Sequence, residues 1–100
     1  MPLVIAIYTG NRAMGGVETD WTEVDRALTA VAEPLPLLRS ITVHGTRVLT
    51  RDDALDLRAE CDRVIPQAST AARWTLTRLK ELTEAALSLP DSELRLIGSG

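Results

Sequence analysis

Histidine, cysteine and lysine each occur once in this chain of 100 residues, and phenylalanine does not occur at all. Each shortage removes a class of chemistry. With Cys61 alone, no internal disulfide can form, and a lone thiol within an apolar helical stripe reads as a small packed side chain. With His44 alone, paired-histidine metal sites and a Ser-His-Asp triad with a spare imidazole are hard to build. A Cys61–His44 dyad needs an exposed thiol, whereas Cys61 falls in the core phase of its helix. His44 therefore reads as a turn residue and Cys61 as packing, with neither metal nor cofactor expected. Ten of the eleven basic residues are arginine, the bias of a GC-rich bacterial genome.

Positive charge is also scarce. The net charge is −3 and is spread along the chain, so neither nucleic acid nor an anionic membrane is an expected partner. No run approaches the ~20 apolar residues that cross a bilayer. The opening Met1–Tyr8 carries neither a basic stretch nor a small-residue cleavage pattern, which leads to the expectation of a cytoplasmic protein. What is present is ordinary for a globular chain: 45% hydrophobic and 25% charged residues. Residues 1–100 are expected to form one domain, burying roughly two-thirds of the surface the unfolded chain exposes.

Leu3–Tyr8 is an apolar, β-branched run with the pattern of a central strand covered on both faces. Gly10-Asn11 is turn chemistry, and Ala13–Glu18 returns as a second strand in which Gly15 and Gly16 mark a weak point, a bulge or a close backbone approach. Asp20 and Glu23 form a capping-box pattern ahead of a helix with the stripe Trp21, Val24, Leu28 and Val31. Glu33-Pro34 ends it, and Leu35–Leu38 reads as a linker. Ile41-Thr42-Val43, His44-Gly45 and Val48-Leu49 make either a short hairpin or a loop holding one short strand. Thr50 with Asp53 starts a second helix (Ala54, Leu57, Cys61, Val64, Ile65), which Pro66 stops. Ser69 or Thr70 caps a third, with the stripe Ala72, Leu76, Leu79, Thr83 and Ala86. Pro90-Asp91 is a turn and Glu93–Ile97 a last strand. The expected fold is α+β: a small mixed or antiparallel sheet, made of the N-terminal hairpin and the C-terminal strand, packed against three helices.

The stretch Gly10–Gly16 follows a strand as a phosphate loop does. It has Gly16 and Val17 where that loop needs Lys and Ser or Thr, so a glycine-containing turn is the plainer reading. Carboxylates gather at Glu18, Asp20, Glu23 and Asp25, and at Asp52, Asp53 and Asp56. Both groups stand at predicted helix starts, where the backbone favours negative charge. Asp56, Arg58, Glu60, Asp62 and Arg63 read as a solvated helix face.

Trp74 lies about 140° from the centre of its helix's apolar stripe at 100° per residue. Two readings are open. Either the helix is covered on both faces by the sheet and another helix, or Trp74 belongs to an interface with Arg78 and Glu81, tryptophan being enriched at interface hot spots.

Gly15-Gly16-Val17 ahead of Trp21, Leu37-Leu38-Arg39-Ser40-Ile41, and Gly45-Thr46-Arg47-Val48 leading into a helix resemble small uncharacterised bacterial proteins of about this length. Those proteins often carry acidic residues where Thr42 and Thr46 stand. The resemblance spans most of the chain and implies no established activity. Some such chains look like immunity or partner-binding proteins, which implies a role in binding protein.

Two functions are therefore expected in competition. One is a non-enzymatic protein-interaction module, an immunity-type inhibitor or a self-associating regulator such as a dimer, with its interface at Trp74, Arg78 and Glu81. The other is a small enzyme or anion-ligand-binding domain at the Gly10–Gly16 turn, with Arg12 holding the anion and Asp20 or Glu23 as base.

Overall fold

The computed structural model describes residues 2–41, 45–89 and 91–98. Strand β1 (Pro2–Thr9) turns at Gly10-Asn11 into β2 (Arg12–Asp20), antiparallel to it. Gly10 takes φ +62, a conformation glycine adopts without strain. Pairing runs from Pro2↔Asp20 to Ile7↔Gly15 and then shifts to Tyr8↔Ala13, leaving Met14 as the extra residue of a β-bulge. Gly16 is there for space. A Cβ on it would stand 2.7 Å from the carbonyl oxygen of Ile5.

β3 (Thr46–Leu49) and β4 (Ser92–Gly98) complete one antiparallel sheet in the order β2-β1-β4-β3. Alternation puts Leu3, Ile5, Ile7, Leu94, Leu96 and Leu49 on the inner face, where they join the helices in one core. The fold is thus α+β, as the order of patterns predicts. The helices lie on one face only. β1 is central, but among the described residues no further layer covers its second face, where Val4 and Tyr8 are half-buried and Ala6 is buried.

Among the described residues four α-helices form, not three: α1 (Thr22–Ala30), α2 (Pro36–Ser40), α3 (Arg51–Val64) and α4 (Thr70–Ser88), with a 3-10 turn at Ile65–Gln67. Thr50 and Asp53 close the predicted capping box: Thr50 Oγ1 accepts from Asp53 N at 3.1 Å, and Asp53 Oδ2 accepts from Thr50 N at 3.2 Å. Ser69 Oγ accepts from Ala72 N at 3.3 Å at the start of α4. Ion pairs Arg58–Glu84 (3.3 Å) and Asp62–Lys80 (2.5 Å) tie α3 to α4 in descending register, so the two helices run antiparallel. Such exposed pairs align helices more than they stabilise them.

Three expectations change. The box at Asp20 and Glu23 does not form. Trp21 is the N-cap residue of α1, Asp20 Oδ1 accepts from Thr22 N at 3.0 Å, and Glu23 pairs with Arg26 at 3.0 Å. The cause is the burial of Trp21, 1% exposed, which carries the strand end directly into the helix. Its indole N–H finds no partner among the described residues. That costs about 1–3 kcal/mol, against about 4–6 kcal/mol from removing a tryptophan side chain from water, so burial wins. Next, Leu35–Leu38 is no linker, because Pro36 opens α2. Last, Glu60 is buried rather than solvated, at 3% exposed. Its carboxylate accepts from Leu37 N (3.2 Å) and Leu38 N (3.0 Å). Pro36 has no N–H, so these are the first free donors of α2.

Of the middle segment, Thr46–Leu49 forms a short strand among the described residues. Thr42, Val43 and His44 lie outside the described residues, as does Pro90 of the last turn.

Glu60→Ala, which leaves two backbone N–H groups without their acceptor, is expected to lower the unfolding free energy by about 3 kcal/mol in urea denaturation. Glu60→Gln keeps one acceptor oxygen and should lose less. A change within about 0.5 kcal/mol for Glu60→Ala would show that the cap contributes nothing to stability.

Candidate functional site

The rotation of α4 about its axis is set by its buried stripe. Ala72, Leu76, Leu79, Thr83 and Ala86 are all buried, as the periodicity predicts. The hydroxyls of Thr75 and Thr19 share a buried hydrogen bond at 2.9 Å, pinning α4 to β2. The opposite line of α4 must then face outward. Trp74 is 55% exposed there, so the reading in which a second helix covers it does not hold. Arg78 and Glu81, four and seven positions on, share this face and pair at 2.8 Å. The structure thus brings Trp74, Arg78 and Glu81 together on one outward surface.

The residues of the other candidate are not brought together. Arg12 opens β2 and Asp20 closes it, about 26 Å apart at the rise of an extended strand. Residues 10–16 are all exposed. The Thr22 backbone N–H, and after it the Thr22 hydroxyl, hold the Asp20 carboxyl below its ordinary range, which makes it a weaker base. Glu23, in the first turn of α1, is engaged by Arg26.

A cleft of about 40 Å³ opens beside Leu49, Arg51, Leu87 and Ser92. It holds little more than one water, far below the roughly 300 Å³ at which small-molecule sites begin. The Arg51 guanidinium beside it donates to Leu87 O at 2.6 Å. Among the described residues, no three His, Cys, Asp or Glu side chains gather where they could share a metal ion. No described helix is long and apolar enough to cross a membrane.

The outer face of the sheet carries Val4, Ala6, Tyr8, Ile97 and Val48, with Arg95 among them. The Arg95 guanidinium lies 4.2 Å from the centroid of the Tyr8 ring and donates to Glu93 (3.1 Å) and Gly10 O (3.2 Å). This cation–π contact shields part of an otherwise open sheet. Sequence reasoning did not find it, although the apolar residues on both phases of β1 signalled a second face with something to cover.

Comparison of the chain with protein-family models, with curated proteins and with solved structures finds no match.

Cys61 is buried in the core of α3, and burial first, then the neighbouring Glu60 and Asp62 charges, push its thiol from the ordinary 9.0 up to about 12. The folded chain therefore holds this proton more tightly than the unfolded chain. Its contribution to stability is fully present below about pH 9 and is lost as pH rises toward 12. Stability measured across that range should fall more steeply for the wild type than for Cys61→Ala. At neutral pH a thiol reagent should modify Cys61 only as fast as the chain unfolds; rapid labelling of the native chain would refute its burial.

Proposed function

We propose that this chain is a non-enzymatic protein-interaction module that binds through the outer face of α4, as an immunity-type inhibitor or a self-associating regulator. One observation carries the reading: Trp74 stands 55% exposed on a helix whose rotation is set by a fully buried stripe and a buried threonine pair. Leaving so large an apolar side chain in water is unfavourable, and tryptophan is the residue type that most often dominates binding when covered. The neighbouring Arg78 and Glu81 supply the polar rim that such a centre uses. The small cleft and the wide separation of Arg12 from Asp20 give the enzymatic alternative no comparable support.

The test is size-exclusion of the pure chain, and of the chain in an extract of its source organism, for wild type and Trp74→Ala. The substitution should leave the unfolding free energy within about 0.5 kcal/mol, since it removes no core contact. It should abolish the complexes that the wild type forms. Complexes retained in full by Trp74→Ala, or no complex in either setting, would overturn the reading.

A further inference from the structure

The outward line of α4 extends beyond Trp74, Arg78 and Glu81, and it has a pattern. Ala71, Trp74, Arg78, Glu81, Ala85 and Ser88 follow one another in alternating steps of three and four. At 100° per residue they stay within about 50° of one straight line, the geometry of a helix-pairing seam. Ala71, Trp74, Glu81 and Ser88 are exposed; Arg78 and Ala85 are half-buried, Ala85 with part of its surface against the core.

The seam is symmetric about the midpoint between Leu79 and Lys80. Reversing it end to end places Arg78 on Glu81, Trp74 on Ala85, and Ala71 on Ser88. The two inner pairings are complementary, opposite charges meeting at the centre and the one large side chain meeting a small one, and the outer pairing sets two small side chains together. A two-fold contact demands this self-complementarity, because each residue of the patch must suit its own mirror position. A parallel pairing would instead set Arg78 against Arg78, Glu81 against Glu81 and Trp74 against Trp74, with like charges in contact.

We infer that the occupant of this face is a second copy of the chain, docked with the two α4 helices antiparallel. This rests on the proposed role of the outer face of α4 and specifies its partner. Within one copy Arg78 already pairs with Glu81 at 2.8 Å. In the dimer the two pairs form a ring of four alternating charges, flanked on each side by a Trp74 indole seated over Ala85 of the other copy. An unrelated partner would place no symmetry requirement on the seam.

Sedimentation equilibrium with charge-reversed variants tests both partner and register. The wild type should dimerise. Arg78→Glu and Glu81→Arg should each raise the dissociation constant about tenfold or more, because each sets like charges face to face across the axis. An equimolar mixture of the two variants should recover the wild-type constant to within about threefold. In the mixed dimer both central positions of one chain are carboxylates and both of the other are guanidinium groups, so opposite charges meet at each contact. As a second measurement, a mixture of Arg78→Cys and Glu81→Cys chains should form a mixed disulfide that neither forms alone. A wild type that stays monomeric at the highest attainable concentration overturns the second-copy inference, while the role of the α4 face still stands on the extract complexes. A dimer that the variants do not weaken, or that mixing does not restore, overturns the antiparallel register. A dimer unaffected by Trp74→Ala overturns the underlying reading itself.

Discussion

The Glu60 carboxylate is the constraint on which the helical layer depends. It stands on α3 and accepts the first two free N–H groups of α2. A helix of five residues has no stability of its own, because the cost of its first turn is barely repaid over so short a length. Fixed at its N-terminus by a buried charge, α2 holds Arg39 in place. The Arg39 guanidinium then donates to Leu28 O (3.0 Å), Val31 O (2.7 Å) and Glu33 O (3.2 Å), carbonyls in the last turn of α1 and just beyond it. Negative charge meets a helix start and positive charge meets a helix end, each where the backbone dipoles favour it. Three helices are joined by two side chains. Removing the carboxylate from water is costly, and only because its oxygens meet aimed donors does the arrangement hold.

Around that polar join the apolar core is conventional, and most of it was legible. The stripe Ala72, Leu76, Leu79, Thr83, Ala86 predicts the buried face of α4 except for Thr75, because a long helix against a sheet leaves periodicity little to compete with. Thr50 with Asp53 predicts a real capping box for the same local reason. The hairpin, its Gly10 turn and the bulge near Gly15 follow from glycine placement. Trp74 was visible as a residue out of phase, which is how an outward tryptophan must look.

What stayed hidden depended on partners distant in sequence. Glu60 sits in a run of charges and differs from Arg58 or Asp62 only in that α2 packs against it from more than twenty residues away. α2 in turn was masked by two prolines that read as a linker, although Pro36 occupies the one helical position where a missing N–H does no harm. Asp20 carries the correct spacing for a cap and loses the role to Trp21, whose burial decides where the strand becomes a helix. The Arg95–Tyr8 contact joins residues at opposite ends of the chain, and no local pattern encodes it.

The bulge at Met14 has a bearing on how the sheet meets other chains. Among the described residues the four-stranded sheet has two open edges, and an open edge invites a stray strand to add to it. β3 offers only four residues to such an addition. β2 is long enough, but the bulge interrupts its ladder and sharpens its twist, and Arg12, Glu18 and Asp20 place charges along it. Strand addition, an uncontrolled route by which β-rich chains stick together, is thereby discouraged at both ends. The hairpin's irregularity works as insulation for the edge it forms.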